Sequence, residues 1–206
     1  MKAVELFAGA GGLAMGASLV GFKSQAVVEW DRWACDSIRE NRRRGHPLVA
    51  NWPEPFEGDV RKFDWSSVDE DIDLLSGGPP CQPFSMGGKH GANDDARDMF
   101  PATVEIVHKL KPKAFIVENV KGLTRSSFSN YYRYIQHQLQ YPVVVRRARE
   151  DWFDHFKRLQ KEATLGRSNG LTYGLTATPV NAADYGIPQK RERVFMVGFR
   201  SDLGIV

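Results

Sequence analysis

Cys81 stands in Gly78-Pro79-Pro80-Cys81-Gln82-Pro83-Phe84-Ser85, a run that no helix or strand would choose. Consecutive prolines fix φ and remove backbone donors, so they hold the thiol in one place. A thiol held rigidly just past an apolar strand is what covalent catalysis requires of its nucleophile. The bland alternative, a small buried side chain, suits Cys35 better, since Cys35 lies in the helical pattern WACDSIRE. Two cysteines make neither a disulfide framework nor a zinc site, and no metal is expected.

Three other groups could work with such a thiol. Glu118-Asn119 follows the apolar run AFIV, and a carboxyl group at the end of a buried strand suits proton donation near neutrality. Helix capping is the structural alternative for it. Arg191 and Arg193 are two residues apart, so in an extended segment they face the same way and could hold an anion or a base carbonyl. A solvated basic turn is the default for such a run. Residues 85–97 carry three glycines and little apolar content, which reads as a loop able to close over a substrate or as an ordinary surface loop.

A second constellation lies at the N-terminus. In Phe7-Ala8-Gly9-Ala10-Gly11-Gly12, glycines at a strand-to-helix turn let a ligand approach the backbone and meet amide donors. Glu29 closes the next apolar run, where a carboxylate can accept hydrogen bonds from ribose hydroxyls. Gly9, Gly11 and Ala14 also satisfy the G-x-G-x-x-A form of a dinucleotide fingerprint, so a nicotinamide enzyme is a rival reading. Trp30 beside Glu29 could stack on adenine, or pack in a core.

The elements that must position these residues alternate. Strands are expected at 4–7, 26–28, 72–76, 114–117, 142–145 and 194–199, and helices from Leu13, from Trp33, at 101–110 and at 131–139. Strands separated by helices, with glycine or acidic residues at their C-terminal ends, predict an α/β fold, a doubly wound and mostly parallel Rossmann-like sheet. Ligands bind such sheets at the C-terminal edge, where every motif above falls.

At 206 residues, with 42% hydrophobic and 26% charged side chains, the chain has the composition of one globular domain. No apolar run approaches the ~20 residues needed to cross a membrane, and the N-terminus reaches glycine too soon for a signal peptide. A cytoplasmic protein with no membrane partner is expected. Net charge is +3, and the stretch 141–167 alone holds seven Lys/Arg against four Asp/Glu. That segment is compatible with phosphate contact or with a merely solvated face.

Taken in order, these stretches resemble the DNA (cytosine-5) methyltransferase family. ELFAGAGGL is similar to its first motif, VEWD to its second, GDV to its third, GGPPCQPFS to its fourth, ENV to its sixth and QKRERVFMVGFR to its eighth. The resemblance implies the sheet of the S-adenosylmethionine-dependent methyltransferases and transfer of a methyl group from that cofactor to C5 of cytosine, leaving S-adenosylhomocysteine. It implies that Cys81 adds to cytosine C6, that Glu118 contacts N3 and the exocyclic amine, and that Arg193 holds O2, with Arg191 and Asn119 bracing the pocket. Phe7, Ala8, Gly9, Gly11, Gly12, Leu13, Glu29, Trp30, Asp59, Val60 and Pro80 would line the cofactor site, with Asp59 facing the adenine amine and Met99 or Phe100 adding an apolar wall. The target base must leave the duplex for this chemistry. Gln82, Ser85, Gly87, Gly88 and Lys89 are then the DNA-binding candidates, the last three for phosphate.

The family continues past its eighth motif with a target-recognition region and two further motifs, which this sequence does not contain. The expectation is a catalytic and cofactor-binding domain over 1–206 that works with double-stranded DNA and a second polypeptide, as in a split restriction-modification enzyme. The rivals are a truncated or non-catalytic cofactor-binding subunit and a transfer-RNA cytosine methyltransferase, although no Cys-Phe-Thr signature of the RNA branch is present. Residues 146–173 are longer than the family places there. Trp152, Phe153, Phe156 and Leu159 share one helical face, which suggests a helix docking on the second polypeptide, packing on its own domain or, third, touching DNA.

Overall fold

The computed structural model describes residues 1–80, 98–165 and 170–205. Its strands are β1 (Lys2–Leu6), β2 (Lys23–Glu29), β3 (Phe56–Glu57), β4 (Leu74–Gly77), β5 (Ala114–Val120), β6 (Tyr173–Asn181) and β7 (Glu192–Arg200). They form one sheet in the order β3-β2-β1-β4-β5-β7-β6. Pairings from β3 through β5 are parallel, and β7 runs antiparallel to both β5 and β6. The predicted α/β, mostly parallel sheet is therefore present, with an antiparallel pair completing one side.

Among the described residues the α-helices are α1 (Gly12–Leu19), α2 (Arg32–Arg43), α3 (Phe100–Leu110), α4 (Ser129–Gln140) and α5 (Trp152–Leu165). The Asp31 carboxylate caps α2 by accepting from the Ala34 amide at 2.8 Å, and Arg42 and Arg43 lie in its last turn, where the dipole favours cations. Alternating strand residues split the core in two. Val4, Leu6, Ala26 and Val28 join side chains of α3, α4 and α5 in the larger cluster. Val27 turns the other way, to Ala14 of α1, Ile38 of α2 and Trp52.

The expected strand at 142–145 is absent: Pro142 to Val145 form a turn and bend. The Val144 and Val145 carbonyls, which a strand would offer to a neighbour, go instead to side chains of α5. His155 Nε2 donates to Val144 O at 2.7 Å and the Arg158 guanidinium to Val145 O at 2.8 Å. The apolar run VVV is tethered by a helix, and the strand at this place in the fold is β6. Its residues YGLTATPVN carry a glycine and a proline, which mask the period of two; Pro179 is tolerated because β6 is an edge strand.

The face of α5 that holds Phe156 and Leu159 is covered by this chain itself. Both residues are buried in the larger core. His155, also buried, accepts at Nδ1 from the Tyr134 hydroxyl at 2.8 Å, so its proton sits on Nε2. Phe153 is 41% exposed, with the Lys157 ammonium 4.7 Å from its ring centre.

Register brings the strand ends into line. Leu6 pairs with both Val28 and Gly77, Gly77 pairs with Val117, and Glu29 pairs with Glu57. Phe7, Glu29, Gly58, Gly78 and Glu118 thus emerge at one edge, and antiparallel β7 delivers Arg193 to the same edge opposite Val120.

Candidate active site

The cofactor side is built mainly from backbone held by one carboxylate. Glu29 Oε2 accepts from the Gly9 amide at 2.7 Å, and Oε1 accepts from the Trp30 and Asp31 amides at 2.8 and 2.7 Å. One side chain therefore ties the turn after β1 to the turn after β2. Gly9 has φ +55, and a β-carbon there would meet nothing within 4 Å, so the turn faces open space. Phe7 also takes a left-handed conformation, φ 53, which is costly for an aromatic residue at a strand end.

These turns enclose a cavity of about 610 Å³ lined by Phe7, Gly9, Glu29, Trp30, Asp59, Val60, Pro80 and Met99, together with Val28, Gly58, Arg61 and Gly78. Eight of the predicted cofactor residues meet there. Trp30 is 73% exposed, so core packing is not its role. Met99 rather than Phe100 supplies the wall, since Phe100 is fully buried in the core. Ala8, Gly12 and Leu13 line a neighbouring cavity of about 440 Å³, which also holds Glu118, Arg191 and Phe195.

Gly11 lines neither cavity. It is buried with φ +92, and a β-carbon would lie 2.8 Å from the Trp52 ring. Gly11 lets Trp52 close under the start of α1. The Asp59 carboxylate is engaged by its neighbour Arg61, at 2.6 Å to the guanidinium and 2.9 Å to the amide. That hydrogen bonding holds its pKa below the usual carboxylate range. Arg61 was invisible in the sequence motif, because GDV says nothing of the residue that follows it.

The other side is built from side chains. Glu118 Oε1 pairs with Arg193 Nε at 2.8 Å and lies 3.9 Å from the Arg191 guanidinium. Glu118 Oε2 stands against Gly78, where a β-carbon would come within 3.3 Å of it. Gly77 is needed differently: a β-carbon there would sit 2.6 Å from the Leu6 carbonyl oxygen, so only glycine lets β4 lie this close to β1. Asn119, 2% exposed, donates from Nδ2 to the Pro79 carbonyl at 3.0 Å, while its Oδ1 accepts the Val120 amide at 2.9 Å. The residue after Glu118 thus grips the proline pair that precedes Cys81. Cys81, Gln82, Ser85, Gly87, Gly88 and Lys89 lie outside the described residues.

At the cavity of Glu118 and Arg191 is a pair that sequence reading passed over. Glu5, 3% exposed, accepts a hydrogen bond from the Ser76 hydroxyl across the β1–β4 pair. Burial pushes its carboxyl up to about 8, against the lowering effect of that hydrogen bond. Cys35 is inert by contrast: burial, reinforced by the nearby Glu29 charge, raises its thiol to about 11.

Among solved structures, the chain is similar over its full length to an E. coli protein described as a DNA modification methyltransferase encoded within a prophage. The TM-score is 0.62 at 25% identity, and the match covers 48% of that chain. Dnmt2 of S. pombe shares the fold at TM-score 0.56 and 16% identity, over 97% of this chain and 50% of its own. Fold and strand-edge site together define a methyltransferase-type α/β domain.

The description of the C-5 cytosine-specific DNA methylase family matches residues 1–141 and 154–206, and the chain belongs to that family. It is 35% identical to Type II methyltransferase M.NgoMIV of Neisseria gonorrhoeae over 97% of this chain and 52% of that protein. It is 33% identical to Type II methyltransferase M.AquIA of Picosynechococcus over 97% of this chain and 72% of that protein. The chain spans about half the length of most of the curated relatives it matches.

Proposed function

We propose that this chain transfers a methyl group from S-adenosylmethionine to C5 of cytosine in double-stranded DNA, with Cys81 as the covalent nucleophile. The observation that carries the reading is the meeting of two built sites at one loop. Gly78 lines both the cavity of Phe7, Glu29, Trp30 and Asp59 and the cavity of Glu118 and Arg191, and Cys81 follows three residues later.

The cofactor cavity suits an adenosyl group. Glu29 supplies carboxylate oxygens for ribose hydroxyls, Trp30 and Phe7 offer aromatic faces, and the open Gly9 turn admits close backbone approach. When bound there, S-adenosylmethionine supplies an electrophilic methyl group. The thiolate of Cys81 adds to C6 of the flipped cytosine, which makes C5 nucleophilic. Glu118 Oε2, the oxygen not used by the arginines, faces the base and contacts N3 and the exocyclic amine. Arg193 and Arg191 keep the Glu118 carboxylate in place and offer donors to O2. After C5 has taken the methyl group it loses its proton, and the C6–S bond breaks to release Cys81. Asn119, by holding Pro79, sets where the nucleophile stands.

The reading includes a cytoplasmic restriction-modification setting and a second polypeptide that carries the target-recognition region and last motifs. The test is tritiated methyl transfer from S-adenosylmethionine to mixed DNA, using the chain alone and with the product of the adjacent gene. Formation of 5-methylcytosine that requires the second polypeptide and is lost in Cys81→Ser is the expected result. Transfer that survives Cys81→Ser, or that goes to RNA and not to DNA, contradicts the reading.

A further inference from the structure

The stretch between α4 and α5 is where this chain departs from its family, since residues 142–153 fall between the two matched segments. It is nevertheless built firmly. Glu150 takes a two-pronged ion pair from Arg158, at 2.9 Å to Nε and 2.7 Å to the terminal nitrogen, and accepts the Arg147 amide at 2.8 Å. Arg146 Nε donates to the Glu150 carbonyl at 2.7 Å. Within this tied turn Arg149 holds φ 63, a left-handed conformation that disfavours an arginine.

The turn presents cations outward. Arg147 and Arg149 are exposed, and neither guanidinium has a partner among the described residues. The nearby acidic groups are taken up: Glu150 by Arg158, and Asp151 by the Phe153 amide at 2.8 Å. The turn leads into α5, whose start lies toward the edge that carries Glu118. Trp152, three residues after Arg149, packs 5.9 Å from Tyr131 in the first turn of α4, on the side where β5 delivers Glu118. The Tyr131 hydroxyl in turn donates to Asp98.

We propose that Arg147 and Arg149 form a rigid phosphate clamp for duplex DNA beside the reactive edge, a contact particular to this chain. The proposal rests on the DNA-methyltransferase reading. A phosphate backbone is the partner because two exposed, unpaired guanidinium groups carried on one tied turn complement an anionic surface and not an apolar protein surface. They would position the duplex without reading its sequence.

The test measures binding of a fluorescein-labelled mixed-sequence duplex across a salt series, with the chain and its second polypeptide. Arg147→Gln combined with Arg149→Asn removes both cations, and asparagine keeps the left-handed turn. The slope of log affinity against log salt should fall by about 1.8, as expected for the loss of two phosphate contacts. Binding should weaken alike for every sequence. The double variant Arg43→Gln, Arg44→Gln, whose arginines already pair with Glu40, should change the slope far less. An unchanged slope in the first variant, or an equal fall in both, overturns the clamp while methyl transfer persists and the parent reading stands. Loss of second-polypeptide binding with an unchanged slope also overturns it, in favour of a protein contact. A wild-type assembly that neither binds DNA nor transfers methyl would bring down the parent reading as well.

Discussion

The two sides of the reactive edge are built by different means. On the parallel side, one carboxylate gathers backbone amides from two successive turns, and the ligand surface is mostly glycine loop and aromatic face. On the antiparallel side, β5 and β7 deliver charged side chains from residues 118 and 193, which meet as an ion pair. The difference teaches where information sits. A strand-turn-helix carries its own geometry within about ten residues of sequence. An ion pair across 75 residues exists only once the sheet has closed.

Glu118→Gln is expected to break the antiparallel side most completely. It should lower the rate of methyl transfer by about 10²–10⁴-fold while leaving cofactor affinity nearly unchanged. Rates and dissociation constants measured on the same preparation check this. An equal loss in both quantities would mean that the two sides are not separable. Leu159→Ala in α5 comes next, acting on what holds the antiparallel side in place. Leu159 is fully buried, so truncation should cost about 2–5 kcal/mol of stability by denaturant unfolding.

On the parallel side, Glu29→Ala should weaken cofactor binding and loosen both turns. A charge-assisted hydrogen bond to the ribose is worth about 1.5–3 kcal/mol; calorimetric titration with the cofactor reads that loss, and denaturant unfolding reads the loss of the bonds to the Gly9, Trp30 and Asp31 amides. The last prediction concerns Glu5, at the cavity of Glu118 and Arg191. Burial raises its folded carboxyl to about 8, from the ordinary 4.5. Across that window the folded state therefore holds a proton that the unfolded chain has released. The contribution is fully present below the lower value and is lost as pH rises toward about 8. Glu5→Gln should remove this slope, so its melting advantage over the wild type should grow from about pH 5 to about pH 8. A constant difference would show that Glu5 does not titrate in this window.

The same contrast explains what was legible. The glycine turn, Glu29 and the strand ends of the parallel side could be read locally, because period and turn residues agree there. The antiparallel side was read only through its motifs. β6 escaped notice because Gly174 and Pro179 interrupt its pattern, whereas VVV at 143–145 reads as a strand and is a turn pinned by His155 and Arg158. The packing role of Gly11 went unread for a similar reason. Its turn conformation was legible, but Trp52, the ring it makes room for, is 41 residues away. Arg61 and Ser76 lie just outside the quoted motifs, and Glu5, though it opens ELFAGAGGL, meets Ser76 only once the sheet has closed.

The central claim is that both sides serve one covalent step at Cys81. The most direct measurement is trapping on duplex DNA that carries 5-fluorocytosine, in which the C5 substituent cannot leave as a proton. With S-adenosylmethionine and the second polypeptide present, the account predicts a denaturant-stable protein–DNA species that is absent in Cys81→Ser and maps to the peptide containing Cys81. No such species from an assembly that still methylates ordinary DNA, or a species formed equally by Cys81→Ser, would contradict it.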